Sequence, residues 1–192
     1  IDDPQYASKY SSVSTHLAFS VTRVKWNKVI GPNGETQGRY RDGVFRDWFA
    51  VSNPDFEKPV TIEERDDMPG FYRIFDVYDA TLMSGIFGSD LSSLCIAQTY
   101  TYINATDPEK VWIPTFKAGV MMMPEYGEIS IGSYVTDNKD FDASISSVYG
   151  KLEEGVITFP TGALQMKMEN MGWYGANNSG THRIIFPGSR AK

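Results

Sequence analysis

What most constrains this chain is its run of short apolar/polar alternations, each soon broken by a turn signal. The clearest stretch is Val60 to Tyr78, VTIEERDDMPGFYRIFDVY. Val60 and Ile62 alternate with Thr61 and Glu63, and charge then takes over from Glu64 to Asp67. Pro69-Gly70 follows, then Phe71, Tyr72, Ile74, Phe75, Val77 and Tyr78. Period two before a turn signal and a nearly continuous apolar run after it predict a β-hairpin. Its second strand is expected to be central and covered on both faces. Pro69 fixes φ and Gly70 permits positive φ, which gives the reversal its mechanism.

The same pattern recurs along the chain. Leu17, Phe19 and Val21 alternate with polar neighbours, and a parity slip near Arg23 suggests a bulge. Arg39 to Val51 reads as a strand around Tyr40 followed by a short helix or loop through Trp48. Asp79 to Ser93 reads as a long connection with apolar content, and Leu94 to Ile103 as a ten-residue strand. Lys110 to Phe116 and Gly127 to Val135 are further strands. Tyr149 to Phe159 is a second hairpin, turning at Glu154-Gly155. In Gly162 to Glu169, Leu164, Met166 and Met168 face inward. Asn170 to Gly180 reads as a Gly/Asn loop, and Thr181 to Phe186 as the closing strand. About ten short strands with turns between them predict an all-β chain, a single-domain β-sandwich or partly open barrel, mostly antiparallel. The domain is expected over 16–188, after a Ser-rich tether at 1–15 and before a short tail at 189–192. The 192 residues suffice to bury a core without staples.

Composition narrows the partners. The net charge is −6, and Lys and Arg are scattered rather than gathered in a stripe, so no nucleic-acid partner is expected. The single cysteine, Cys95, permits no intramolecular disulfide and reads as a small buried hydrophobe. No apolar run has transmembrane length.

Chemistry is hard to find. The two histidines, His16 and His182, lie at presumed strand ends, and no nucleophile elbow accompanies them. One Cys and two His do not make a zinc set. Asp137 to Asp142 spaces oxygen ligands as a calcium loop does, but lacks the glycine and the closing Glu, and reads as a solvated loop. The many acidic residues would always offer a carboxylate pair on paper, so the count says nothing about glycoside hydrolysis. No catalytic residue, metal ligand or cofactor is therefore expected. The aromatic residues are more suggestive, because a flat ring offers contact area at little entropic cost. Trp173 and Tyr174, with Asn177 in the same loop, are the candidate ligand-binding residues; Trp48 and Trp112 are expected mainly in the core.

Three stretches carry a family resemblance. Glu63 to Tyr78 is similar to an E…PG-x-YR…Y pattern. Tyr149 to Leu164, YGKLEEGVITFPTGAL, is similar to a pattern built on DG-x-I-x-FP. Asn170 to Gly188 resembles a GWYYAN…LPG loop. In this order they resemble modules of large surface lipoproteins of Bacteroidetes, often found with Sus-type outer-membrane nutrient importers. The chain departs from that pattern at Phe75 to Tyr78, where the family has an Asn-Pro-Tyr turn, and at His182-Arg183 in the closing strand. The resemblance implies an outer-membrane, surface-exposed protein held by a lipid anchor upstream of Ile1. It also implies non-enzymatic binding of glycan or peptide, or docking on subunits of a TonB-dependent importer. The alternatives are a structural, adhesin or assembly protein and, with less support, a glycoside hydrolase.

Overall fold

The computed structural model describes residues 23–137 and 148–190. Thirteen strands appear among these residues. They are β1 (Trp26–Lys28), β2 (Gly38–Arg41), β3 (Glu57–Val60), β4 (Ile62–Arg65), β5 (Phe71–Phe75), β6 (Tyr100–Asn104) and β7 (Phe116–Lys117). The remainder are β8 (Ile129–Ser133), β9 (Lys151–Glu153), β10 (Val156–Thr158), β11 (Leu164–Met168), β12 (Gly172–Ala176) and β13 (Arg183–Ile185). The first sheet has the order β1-β4-β5-β6, the second β3-β2-β13-β10-β9, and the third β12-β11-β8-β7. The pairings within them are antiparallel, and none of the three closes into a barrel. The chain is all-β, with the layered character of a sandwich.

The sheets are joined by strands that change allegiance, a device that makes the corners of β packings. β3 pairs with β2 in the second sheet, and one residue later β4 pairs with β1 and β5 in the first. The segment after β6 makes the other joints. Trp112 bridges to Asn104 at the end of β6, Val111 to Gly150 beside β9, and Ile113 exchanges hydrogen bonds with Ser133 of β8. Alternation then explains the core. Ile62, Tyr72, Ile74 and Ile103 come from the first sheet, and Tyr40, Val60, Ile157 and Ile184 from the second. Ile129, Ile131, Leu164 and Met166 come from the third, and all twelve are buried.

Both expected hairpins form. β4 and β5 are joined through Gly70 at φ +84°, and β9 and β10 through Glu154-Gly155. The short helix after Tyr40 is α1 (Phe45–Trp48). Other expectations need correction. Asp79 to Ser93 contains a helix, α2 (Ala80–Phe87), begun by Asp79 accepting from the Leu82 N–H at 3.0 Å. It presents Leu82, Met83 and Ile86 to the core. Only the second half of Leu94 to Ile103 is strand; Cys95 is half-buried and makes just one bridge, to Val120. In Lys110 to Phe116, strand begins only at Phe116, after the isolated bridges. Within the Asn170 to Gly180 stretch, expected as loop, Gly172–Ala176 is strand β12. β5 is central in its sheet, but only Tyr72 and Ile74 are buried; Phe71, Arg73 and Phe75 face outward. Trp48 is 39% exposed, and Trp112 is half-buried. The tether, His16, the Leu17 to Val21 alternation against which a bulge near Arg23 is read and most of the calcium-like loop lie outside the described residues.

Two buried polar assemblies tie these pieces together. In the first, Lys58 on β3 donates to the carbonyls of Asp76 (2.6 Å) and Val77 (3.0 Å) and pairs with Asp79 at 2.8 Å. One cation thus fixes the β5-to-α2 turn and the α2 cap against the second sheet. In the second, the Tyr78 hydroxyl donates to Asp42 Oδ1 at 2.9 Å and stands 2.7 Å from the Tyr40 hydroxyl. The one hydroxyl proton of Tyr78 points at the carboxylate, so Tyr40 donates to the Tyr78 oxygen. Asp42 Oδ2 accepts from the Phe45 N–H at 2.8 Å, which holds the start of α1. Beside them the Gly43 N–H donates to His182 Nδ1, and Asn177 Oδ1 accepts from the Thr181 and His182 N–H groups.

Gly43 lies in close contact with Asn177 and His182. A Cβ there would collide with Asn177 Oδ1 and stand 2.8 Å from the His182 backbone nitrogen. Gly43→Ala is expected to lower unfolding stability by about 2 kcal/mol, in the range of overpacked cores. Gly175→Ala, where a Cβ meets nothing within 4 Å, should stay within about 0.5 kcal/mol of wild type. Urea unfolding of both variants checks this; equal midpoints would contradict the close approach.

Candidate functional site

The solvent side of an antiparallel sheet is usually polar. The first sheet breaks that rule. Cross-strand register puts Trp26 beside Arg65, Glu63 beside Arg73, Arg73 beside Tyr102, and Phe75 beside Tyr100. These residues share the outward face, together with Phe71. Trp26, Phe71 and Tyr102 form a triangle, with ring centroids 6.1, 5.9 and 6.0 Å apart. Phe75 and Tyr100 extend it at 5.0 Å, and Phe75 is 51% exposed.

Arg73 organises these rings. Its guanidinium lies 4.3 Å from the centre of the Trp26 ring and 4.5 Å from that of Tyr100. Its Nε donates to Glu63 at 2.7 Å, so the cation is held from a third strand as well. Each cation–π contact contributes about 0.5–2 kcal/mol, depending on desolvation. The rings are therefore held in place by this cation as well as by the sheet behind them. A groove of about 420 Å³ opens on this face, lined by Val24, Trp26, Arg65, Phe71, Tyr102 and Pro114. That volume falls among small-molecule sites, which span about 300–1,000 Å³. Arg65 makes a two-pronged pair with Asp67, at 2.6 and 3.0 Å.

The three residues singled out from the sequence do not converge. Trp173 and Tyr174 are neighbours on β12, so they point to opposite faces. Trp173 is 37% exposed, with Lys167 Nζ 5.8 Å from its ring. Tyr174 turns to Trp48 of α1, edge to face at 4.9 Å. Asn177 is fully buried at φ +59°. Its Nδ2 donates to the carbonyls of Phe159 and Pro160 while its Oδ1 accepts from two backbone N–H groups. This uses the whole amide, so Asn177 has nothing left for a ligand and acts as the clasp of the β12–β13 turn. Sequence reasoning missed the groove because Phe71 and Phe75 were counted as core. The available signal was Arg73 at the same parity: a cation between rings marks a face that is not buried interior.

A larger cleft, of about 930 Å³, lies on the outer side of the second sheet. Lys151, Glu109, Glu153, Tyr149, Arg183 and Arg190 contribute to its lining. Lys151 pairs with Glu109 at 2.7 Å. Mixed charge, partly neutralised internally, does not define a ligand. No group of three His, Cys, Asp or Glu among the described residues could hold a metal ion.

The buried titratable groups are sealed. Burial pushes the Asp42 carboxyl up to about 6 and the His182 imidazole down to about 3. The ring of His182 meets Tyr40 and Phe159 edge-on, at 5.0 and 5.4 Å. Neither group has a path to substrate, since Asp42 is 3% exposed and His182 is not exposed at all.

Their titration nonetheless shows in stability. Asp42 has a folded pKa above its unfolded 3.8, so its contribution is full below 3.8 and lost as pH rises through about 6. His182 has a folded pKa below its unfolded 6.5, so its contribution is full above 6.5 and lost as pH falls towards about 3. Between about pH 4 and 6, unfolding releases a proton from one and binds a proton at the other, and the two slopes cancel. Relative to wild type, His182→Gln should lose stability as pH rises across that window, with a limiting slope of about 1.4 kcal/mol per pH unit. Asp42→Asn should gain stability over the same window with the opposite slope. Urea midpoints across the window check this; variant curves parallel to wild type would contradict it.

No protein-family model, no curated protein and no solved structure matches the chain.

Proposed function

We propose that this chain is a non-enzymatic binding module whose platform is the outer face of the first sheet. The ring triangle of Trp26, Phe71 and Tyr102 beside an open groove carries the reading. Contiguous apolar rings facing water are costly in solvent and commonly mark an interaction surface. Arg73 holds them in one arrangement before any ligand arrives, which lowers the entropic cost of binding.

Together with the resemblance described above, the platform fits a module at the outer-membrane surface. It would be tethered through a lipid anchor upstream and accessory to nutrient import through a TonB-dependent complex. Glycan is the favoured ligand and peptide the alternative.

A structural or assembly role is the second reading. Its natural device is strand addition at an open edge. β12 is such an edge, but Trp48 Nε1 donates to the Gly175 carbonyl at 2.8 Å and blunts it. A hydrolase reading has less support: Asp42, the carboxyl that burial holds near 6, is closed off from solvent.

Tryptophan fluorescence and calorimetric titration against soluble polysaccharides and peptides test the platform. Trp26→Ala and Tyr102→Ala should each weaken binding at least about tenfold, the loss of roughly one stacking contact. Trp173→Ala should leave it unchanged. Loss in Trp173→Ala alone would move the site to β12.

A further inference from the structure

We infer that the chain self-associates through the free edge of β1, two copies pairing antiparallel about a two-fold axis at Asn27. The inference does not depend on what the ring face binds.

The ladder fixes which backbone groups are free. The Val29 N–H donates to the Ile62 carbonyl, and the Asp66 N–H to the Lys25 carbonyl. Hydrogen-bonded pairs alternate along an antiparallel ladder, so Lys25, Asn27 and Val29 turn their main-chain groups to β4. Trp26 and Lys28 turn theirs to the open side, where no group among the described residues meets them. The other sheet edges are blunted. β3 carries Pro59, which has no N–H, and Trp48 Nε1 holds the Gly175 carbonyl of β12. The Leu152 N–H of β9 donates to the Pro108 carbonyl, Trp112 closes the end of β6, and β7 is two residues long. An uncovered row of main-chain groups is a template for another strand.

The side chains on that row favour a second copy as the added strand. Val24, Trp26, Lys28 and Ile30 alternate onto the ring face, and Val24 and Ile30 are 45% and 61% exposed. Pairing Asn27 with its own counterpart sets Trp26 opposite Lys28 and Val24 opposite Ile30, on both sides of the axis. Each ammonium then lies beside an indole, a cation–π contact, and each exposed aliphatic side chain gains an apolar partner. Trp26 and Lys28 exchange both main-chain hydrogen bonds across the pair. An edge lysine repels a strand that brings a like charge against it. Sliding one copy by two residues sets Lys28 against Lys28 in one direction and against Val24 in the other. The staggered register alone gives the cation a ring and the aliphatic residues each other. The axis stands perpendicular to the sheet, so both ring faces lie on the same side of one continuous sheet.

The test uses the whole chain. Sedimentation equilibrium from about 1 μM to about 1 mM, a span suited to a small interface, should show the mass rising towards twice that of the chain. Lys28→Pro removes an N–H that only the dimer uses, at an edge position that tolerates proline. It should weaken association at least about tenfold, as loss of main-chain bonds across the axis predicts. If Lys28→Pro does not fold by circular dichroism, Val24→Lys, which sets a cation against Ile30, serves instead. Cross-linking in a Cys95→Ala background reads the register. Asn27→Cys should give a disulfide-linked dimer on oxidation, because its Cα and that of its counterpart stand about 4.5 Å apart. Lys25→Cys, which faces Val29 rather than itself, should not. A chain that stays monomeric throughout, or a dimer undiminished by the edge variant, would overturn the inference. So would failure of Asn27→Cys to cross-link more readily than Lys25→Cys.

Discussion

The fold depends on a buried polar knot. The sheets are small, with strands of two to five residues, so ladder hydrogen bonds alone give each little independent stability. What joins them is a set of polar groups that satisfy one another inside the core. The Asp42 carboxylate links the end of β2 to α1 and, through Tyr78, to the end of the first sheet's hairpin. The Asn177 amide spans from the carbonyls after β10 to the start of β13. Gly43 lets these two parts meet, and Lys58 repeats the device at the base of α2. Breaking a buried hydrogen-bonded charge pair costs about 3–5 kcal/mol, because the remaining partner is left uncompensated. Such groups fix a unique arrangement of sheets that apolar contacts alone would specify less sharply.

This explains which parts of the architecture could be read in advance. Period-two alternation reports which residues face inward, and Leu164, Met166, Ile129 and Ile131 behave as it requires. Turn chemistry reports where the chain reverses, as at Gly70 and Glu154-Gly155. Neither reports where a strand changes partners. The change between β3 and β4 at Thr61 leaves no mark on the alternation, since Val60 and Ile62 are both buried as a single strand would have them. α2 escaped because its eight residues are too few to display a helical period, and Gly85 within it argues for loop. Leu94 to Ile103 reads as one long strand, but pairing with β5 begins only at Tyr100.

The candidate site escaped for a different reason. Aromatic residues are counted as core by default, and some here obey: Tyr40, Phe45, Tyr72, Tyr78 and Phe159 are buried. The rings of the outer face have the same composition and periodicity as core rings. Only their neighbours separate the two groups. Interior rings share their face with Ile and Val, whereas the exterior set shares its face with Arg73, Glu63 and Arg65. Trp173 and Tyr174 drew attention because glycine and asparagine surround them. The same glycines and Asn177 serve a tight strand and turn, where a small side chain or a positive φ is what matters.

Interior and exterior thus use one chemical vocabulary for opposite ends. Inside, tyrosine hydroxyls and a histidine ring are locked by partners and drained of water, so Asp42 and His182 have shifted protonation but nothing to act on. Outside, the rings are held by a guanidinium that is itself anchored, and their faces remain open to solvent. Stability and the recognition proposed for the outer face would therefore be carried by separate groups of side chains on opposite sides of the first sheet. Tyr72 and Ile74 point from β5 into the core, while Phe71, Arg73 and Phe75 point from the same five residues to solvent. Because alternate residues of one strand serve the two roles, the platform inherits the rigidity of the core behind it, and a ligand can be met by rings that need no rearrangement.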